Sequence, residues 1–376
     1  VKLRVERDVL ADGVAWAARA LPSRPSLPVL SGLMLEAADG SLTISSFDQD
    51  VSARVDIAAD VSTPGKTLVS GRLLADITRS LQAKPVQLDV VGSHVALTCG
   101  RSSFNLPTLP VEDYPRIPDM PTTAGSINGA LLAHAVAQVA IAAGRDDTLP
   151  TLTGIRLEVE GTHLTLAATD RYRLAVREFT WDPSKASVSA QHLIPAKTLA
   201  DLAKSLSNVA DVTIALAGGG TGEGLIGFEG DGRRTSTRLL DGDFPKYRSL
   251  LPNESACVAT VDTAELIEAV KRVALVAERN MPIRLAFSGS EVVLEAGAME
   301  EAQANEVVEA RVDGDDISIA FNPAFLLDGL AAVNSAQVMF SFTLATKPAV
   351  LTGVDPETRA SRAEYKYLLM PVRLTG

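Results

Sequence analysis

Leu27-Pro-Val-Leu-Ser-Gly-Leu-Met-Leu-Glu36 returns further along the chain as Leu149-Pro-Thr-Leu-Thr-Gly-Ile-Arg-Leu-Glu158, with Leu, Pro, Leu, Gly, Leu and Glu held at a constant offset of 122 residues, 149 minus 27. The register persists beyond the motif. Asp48 falls on Asp170, each after an alternating apolar run, Leu42 to Ser46 and Leu164 to Ala168. Gly71-Arg-Leu-Leu-Ala-Asp-Ile-Thr-Arg-Ser-Leu81 then matches Ala196-Lys-Thr-Leu-Ala-Asp-Leu-Ala-Lys-Ser-Leu206, and Leu109 to Pro115, ending Glu-Asp-Tyr-Pro, matches Leu239 to Pro245, ending Gly-Asp-Phe-Pro. Four motifs kept in one order are an internal duplication, and a repeat must be recognised before any fold is assigned.

Each unit reads as two helices plus several strands. Val9 to Ala20 and Leu131 to Ala143 carry apolar residues at helical spacing, whereas Leu42 to Ile57 and Leu164 to Phe179 alternate with period two, as half-buried strands do. The segments 71–81 and 196–206 predict a second helix, followed by strands Val86 to Val91 and Val95 to Cys99 in one unit and Val212 to Ala217 and Leu225 to Phe228 in the other. A fainter third copy keeps this order. Asp262-Thr-Ala-Glu265 resembles a capping box that starts a helix through Ala277. Pro282-Ile-Arg-Leu285 parallels Gly154-Ile-Arg-Leu157, strands follow at Val292 to Ala296 and Val307 to Val312, and Asn322-Pro-Ala-Phe-Leu-Leu-Asp328 opens the second helix. Joints rich in proline and small polar residues, Pro118 to Thr123 and Pro252 to Ser255, separate the copies. Three domains of roughly 125 residues are expected, since the whole chain is longer than one hydrophobic core usually organises.

Composition narrows the function classes. The 376 residues are 46% hydrophobic and 22% charged, an ordinary globular balance. Cys99 and Cys257 stand far apart without neighbouring ligands, which supports neither a disulfide scaffold nor a zinc site and fits a reducing cytoplasm. Val1 to Asp12 lacks the unbroken apolar core of a signal peptide, so export by that route is not expected. Leu131 to Ala143, the longest mostly apolar stretch, is interrupted by His134 and Gln138 and falls short of the roughly 20 residues a bilayer span needs. A net charge of -11 argues against a surface that attracts nucleic acid everywhere, while leaving room for a local basic face.

Catalytic signatures are not supported. His94, His134, His163 and His192 form no metal-ligand spacing. Asp48 and Asp170 occupy one place in two repeats, which favours a turn or cap role over a carboxylate pair. Gly222-Glu-Gly224-Leu-Ile-Gly227 matches a dinucleotide fingerprint literally, but that fingerprint needs a helix after the glycines, and Leu225 to Phe228 reads as a strand, so 218–224 reads as a hairpin loop. No nucleophile elbow occurs, and no cofactor is expected.

The triplicated unit, the Leu-Pro-x-Leu-x-Gly strand entry, Ala168-Thr-Asp-Arg-Tyr-Arg-Leu-Ala175, Asp243-Phe-Pro-Lys-Tyr247 and Tyr367-Leu-Leu-Met-Pro-Val-Arg-Leu374 together resemble the beta subunit family of bacterial DNA polymerase III, the sliding clamps, essentially end to end. The resemblance implies an α+β fold of three repeated clamp domains, 1–121, 122–252 and 253–376, each with two helices packed on antiparallel sheet. It implies a homodimeric ring of six such domains, helices lining the hole, that encircles duplex DNA without sequence specificity and tethers the replicative polymerase. No covalent chemistry and no membrane are implied. An acidic three-domain peptide-binding adaptor that never surrounds DNA is the alternative.

The resemblance also assigns residues. Duplex DNA carries one phosphate charge per about 1.7 Å, so a lining helix of about 12 residues faces on the order of ten phosphates and needs few cations. Arg72 and Arg79, Lys197 and Lys204, and Lys271, Arg272 and Arg279 are the candidates, joined by Arg24 and Arg145 in the loops before the repeated motif. Aromatics that family members carry near the second of these loops are replaced by Pro150 and Thr151. A pocket for short linear motifs of polymerase, clamp loader and repair proteins maps to Leu152, Thr169, Arg171, Tyr172, Arg173, Leu174, Pro245, Leu250, Leu368, Leu369, Met370, Pro371, Val372 and Arg373. Its leucines, Met370 and prolines would form an apolar groove with Arg173 and Arg373 at the rim. Arg171 and Tyr172 stand where many relatives have glycine and histidine. Ring closure would set Glu300, Glu301 and Glu306 of one protomer against the edge strand carrying Arg101 and Phe104 of the other.

Overall fold

The computed structural model describes residues 1–216, 224–252, 254–277, 281–297 and 302–373. One order of elements occurs three times. The first copy runs from strand Lys2–Val5 into helix α1 (Arg7–Ala17), through strands Gly32–Ala38, Ser41–Phe47, Val51–Ala58 and Gly65–Ser70 into α2 (Gly71–Ser80), and ends with Val86–Val91, His94–Cys99 and Ser102–Leu109. The second repeats this as Thr122–Ile127, α3 (Gly129–Ala140), Gly154–Glu160, His163–Thr169, Arg173–Thr180, Ser189–Pro195, α4 (Ala196–Ser205), Val212–Leu216, Leu225–Gly230 and Arg233–Arg238. The third does so as Cys257–Asp262, α5 (Thr263–Val273), Ile283–Ser288, Glu291–Ala296, Ala304–Gly314, Ile317–Phe321, α6 (Pro323–Val333), Gln337–Phe342, Ala349–Val354 and Ser361–Leu369.

The repetition reaches individual side chains. α2 buries Gly71, Leu74, Ile77 and Thr78, and α4 buries Ala196, Leu199, Leu202 and Ala203, the same four places of the duplicated motif. Such i, i+3, i+6, i+7 spacing puts one stripe of a helix against a sheet. The start of α5 is capped as its sequence suggests, Asp262 Oδ1 accepting from Glu265 N at 2.9 Å. α6 starts at Asn322, whose Oδ1 accepts from Ala324 N and Phe325 N, with Pro323 at the position where a missing N–H costs nothing. The apolar spacing over Val9–Ala20 and Leu131–Ala143 outruns the α-helices, because Ala18–Ala20 is a 3₁₀ turn and Ala142 N and Ala143 N bond three residues back. Periodicity does not separate those two windings. The alternating runs 42–57 and 164–179 each fold into a hairpin about Asp48 and Asp170. Of the glycine-rich stretch expected to form a hairpin loop, 218–223 lie outside the described residues.

Contacts divide the chain into two compact units. One holds residues 1–129, 183–185 and 208–239 on a 14-stranded ladder; the other holds 130–182, 186–207 and 240–376 on a 12-stranded ladder. Each ladder crosses from one copy into the next by the same antiparallel joint. In the first unit Val51–Val55 pairs with Arg233–Thr237, and in the second Arg173–Arg177 pairs with Tyr365–Leu369, five residue pairs in each case. The third sheet strand after a copy's first helix thus meets the last strand of the copy that follows.

Side chains reinforce both joints. At the first, the guanidinium groups of Arg19 and Arg233 lie over the buried Trp16 ring at 5.6 and 5.2 Å, and Arg233 pairs with Asp12. At the second, Gly329 of α6 packs so closely on Tyr367 that a Cβ there would sit 2.3 Å from its ring. The Tyr367 hydroxyl donates to Phe325 O at 2.8 Å, Gln138 Nε2 of α3 donates to Ala332 O of α6 at 2.7 Å, and the Tyr365 hydroxyl donates to Gln138 O at 3.1 Å.

Candidate functional site

The second joint carries the residues expected to bind peptides. Its turn is set by Asp170, whose Oδ1 accepts from Tyr172 N and Arg173 N, both at 3.0 Å, while Thr169 Oγ1 accepts from Arg171 N at 3.2 Å and donates to Arg173 O at 2.7 Å. This is the turn role foreseen for Asp170. Asp48 plays it in the first copy, accepting from Asp50 N and Val51 N at 3.0 and 2.5 Å. Thr169 is therefore buried to hold the turn, with its hydroxyl turned inward.

Arg173 corrects an expectation. Instead of lining a rim it is only 5% exposed, with Nε donating to Asp170 Oδ2 at 3.0 Å, Nη1 to Asp328 Oδ2 at 2.5 Å, and its guanidinium 4.3 Å from the Phe325 ring centroid. Burial weakens the cation, but Asp328, Tyr367 and Asp170 together more than offset it and hold the guanidinium pKa above its usual value. Tyr172 stacks on the same Phe325 at 6.3 Å between centroids and stays exposed.

Behind this turn lies an apolar cluster of Ala167, Leu174, Val176, Tyr247, Val350 and Leu368, with Phe244 and Leu251 packed on it. Leu174 pairs directly with Leu368 across the joint, so both face the same side of the sheet. Leu369 is one residue on and faces the opposite side, where it is fully buried; it is core and not groove. Leu152 is buried in the 3₁₀ turn Pro150–Thr153, whose Leu152 carbonyl accepts from Gly144 N. Exposed apolar surface comes from Tyr172, Leu250, Met370 and Val372, with Pro245 exposed and Pro371 half-buried beside them in sequence. Met370 N donates to Tyr172 O at 2.9 Å and Val372 N to Ala320 O at 2.8 Å, so the 370–373 tail is strung between the turn and strand Ile317–Phe321. Arg373 is exposed.

The segment Tyr247–Leu250 is anchored by one carboxylate. Buried Glu158 accepts from the Tyr247 hydroxyl at 3.0 Å and from Arg248 Nη1 at 2.5 Å, and Arg156 Nε lies 3.5 Å away. Burial, then the neighbouring Glu158 charge, push the Tyr247 phenol well above its ordinary range. Sequence reading missed Glu158, Tyr247, Phe325 and Asp328 as parts of this site. In the sequence Phe325 and Asp328 belong to a helix opening and Glu158 to the end of a repeat motif; no local spacing announces partners 155 and 90 residues apart.

The candidate DNA contacts are exposed wherever they are described: Arg24, Arg72 and Arg79 in the first unit, and Arg145, Lys197, Lys204, Lys271 and Arg272 in the second. Two conditions modify them. Arg72 Nη2 donates to Pro22 O and Ser23 O at 3.1 and 3.3 Å, tying α2 to the Arg24 loop. Lys271 pairs with Glu268 at 2.7 Å, and Arg272 pairs through two bonds with Glu306, which ties a candidate DNA contact to a candidate interface residue. Arg279, Glu300 and Glu301 lie outside the described residues. Arg101 is exposed and Phe104 half-buried on Ser102–Leu109, where 102–107 are paired on one side, by His94–Cys99. Residues 304–309, which include Glu306, are likewise paired on one side, by Glu291–Ala296. Among the described residues no three metal-ligating side chains gather, and no helix is long and apolar enough to cross a membrane.

Comparison with known proteins agrees along the whole length. Models of the N-terminal, central and C-terminal domains of the DNA polymerase III beta subunit match residues 1–118, 126–246 and 248–373. A beta sliding clamp from Streptomyces coelicolor is 58% identical over 376 residues, covering 100% of both chains, and one from Micrococcus luteus is 51% identical over 313 residues, covering 83% of this chain and 100% of its own. Among solved structures, the Bacillus subtilis sliding clamp superposes with a TM-score of 0.92 at 27% identity, and a Pseudomonas aeruginosa clamp bound to griselimycin with 0.92 at 28%, each covering 99% of both chains. With three successive domain models and full-length relatives in agreement, the chain belongs to the DNA polymerase III beta subunit family, the sliding clamps, which are non-catalytic subunits of that polymerase.

Proposed function

We propose that two copies of the chain close into a ring around duplex DNA, slide on it without reading sequence, and hold the replicative polymerase and other partners through the pocket at the second joint. The observation that carries this reading is the recurring joint. Twice the third sheet strand of one copy pairs with the last strand of the next, and among the described residues the third strand of the last copy, Ala304–Gly314, and the last strand of the first, Ser102–Leu109, keep stretches 304–309 and 102–107 paired on one side. Applying the same rule once more joins the third copy of one protomer to the first copy of another, at both seams of a two-fold dimer.

The remaining features follow physically. Cations at Arg24, Arg72, Arg79, Arg145, Lys197, Lys204, Lys271, Arg272 and Arg279 would attract phosphates loosely, and the absence of base-edge contacts is what permits sliding. The acidic excess would face outward. The pocket binds short motifs and cuts nothing: its floor is the apolar cluster and its mouth the exposed Tyr172, Leu250, Met370 and Val372. A griselimycin-bound clamp of the same fold supports a ligand-binding surface on this architecture. The divisions 1–121, 122–252 and 253–376 then serve as the three ring segments, and the working location is the bacterial cytoplasm, on the nucleoid during replication.

Retention on DNA tests the ring. Loaded by a clamp loader, the protein is expected to stay on nicked circular DNA and to be lost when the circle is linearised. Equal retention on both would favour the adaptor and end the ring reading.

A further inference from the structure

The turn at Asp170 has a twin whose chemistry differs. Gln49 and Arg171 hold the same place after Asp48 and Asp170, with φ of 83° and 78°. In both turns the aspartate accepts from the backbone amides two and three residues on, so the geometry is fixed by the aspartate and asks of the middle residue only that it tolerate the left-handed region. Glycine meets that demand without strain. The first copy uses neutral Gln49, whereas the second holds an arginine there, exposed at the apex and followed by exposed Tyr172. The fold does not require a cation at this point.

The charges nearby are unevenly spent. Asp170 and Asp328 are committed to Arg173, and Glu158 to Arg248 and Tyr247. Asp146 feels the Arg171 charge, but its carboxylate is held first by the Thr148 hydroxyl and amide at 2.6 and 3.0 Å. Among the described residues Arg171, Lys246 and Arg373 enter no ion pair, and all three are exposed. A chain of net charge -11 thus places three cations in the segments that present its exposed Tyr172, Leu250, Met370 and Val372.

Resting on the pocket reading above, we infer that Arg171 selects partner peptides that carry a carboxylate beside their apolar anchors. The anchors would fill the apolar mouth next to Met370, and the guanidinium fork at the apex would receive the two carboxylate oxygens, a geometry that lysine reproduces only as a point charge. An exposed pair of this kind discriminates modestly and weakens with salt.

Fluorescence anisotropy on the full-length protein tests this, using labelled peptides with a Leu-Leu-Phe core flanked by Asp, Asn or Lys. Expected affinities fall in the order Asp, Asn, Lys, with an Asp-to-Asn ratio of about 3 to 10 at low ionic strength that shrinks toward 1 in about 0.5 M salt. Arg171→Gln and Arg171→Gly, the latter also relieving the left-handed turn, are expected to bring that ratio below about 2, and Arg171→Lys to keep part of it. A ratio unchanged in both the Gln and Gly variants, or equal binding of all three peptides to the unaltered protein, overturns the selectivity while leaving the pocket standing. Peptide binding that survives Met370→Glu undiminished overturns the pocket reading and the inference together.

Discussion

Arg173 shows how a residue's neighbours decide its role. Arginines are seldom buried, and one near a groove is naturally read as rim; two carboxylates and an aromatic face reverse that. Asp170 was in view three residues away, but Asp328 lies 155 residues on, in another copy, and no pattern in the chain links them. Removing one partner of a buried ionic cluster leaves the others uncompensated, so Arg173→Ala is expected to lower unfolding stability by about 3 kcal/mol or more, read as a drop in denaturant midpoint. A loss under about 0.5 kcal/mol, the size typical of exposed sites, would return Arg173 to the rim. What was legible at this scale is what acts locally: the turn roles of Asp48 and Asp170 and the cap at Asp262 were all readable because each bonds amides two or three residues away.

At the scale of elements, duplication made helices and strands legible because both copies bury the same positions. Their ends were less so, since 3₁₀ turns continue an apolar rhythm. Strand Ser189–Pro195 adds a property no pattern shows. His192, paired across the ladder with Leu157, has a buried Nε2 without a hydrogen-bond partner among the described residues. Burial first, and the Arg156 charge second, push its imidazole below the ordinary value of 6.5. As pH falls through about 6.5 the unfolded chain takes up a proton that the folded chain refuses, so the stability this residue contributes is complete above 6.5 and declines below it, levelling off once the folded imidazole protonates. His134 shifts in the same direction through burial and Arg177. Melting temperature is accordingly expected to fall from pH 7 to pH 5, with a shallower fall in His192→Gln; identical slopes in the two proteins would rule His192 out as a source.

For the whole molecule, the strand edges at 102–107 and 304–309, each paired on one side among the described residues, matter most. Val307 is 53% exposed on one of them, an apolar side chain on an open strand. Val307→Lys is expected to raise the dimer dissociation constant at least about tenfold in sedimentation velocity while changing fold stability by less than about 0.5 kcal/mol. An unaltered dimer would place the seam elsewhere. The sequence disclosed three copies but not which edges they leave open, because that depends on which strand crosses each joint. The joining rule has one further outcome. It mates unlike ends, and head-to-tail linkage is polar, with no built-in stopping number. On the ring reading proposed above, closure requires each link to bend far enough for the second copy to meet the first; a change that flattened this bend is expected to give not loose monomers but open-ended fibres.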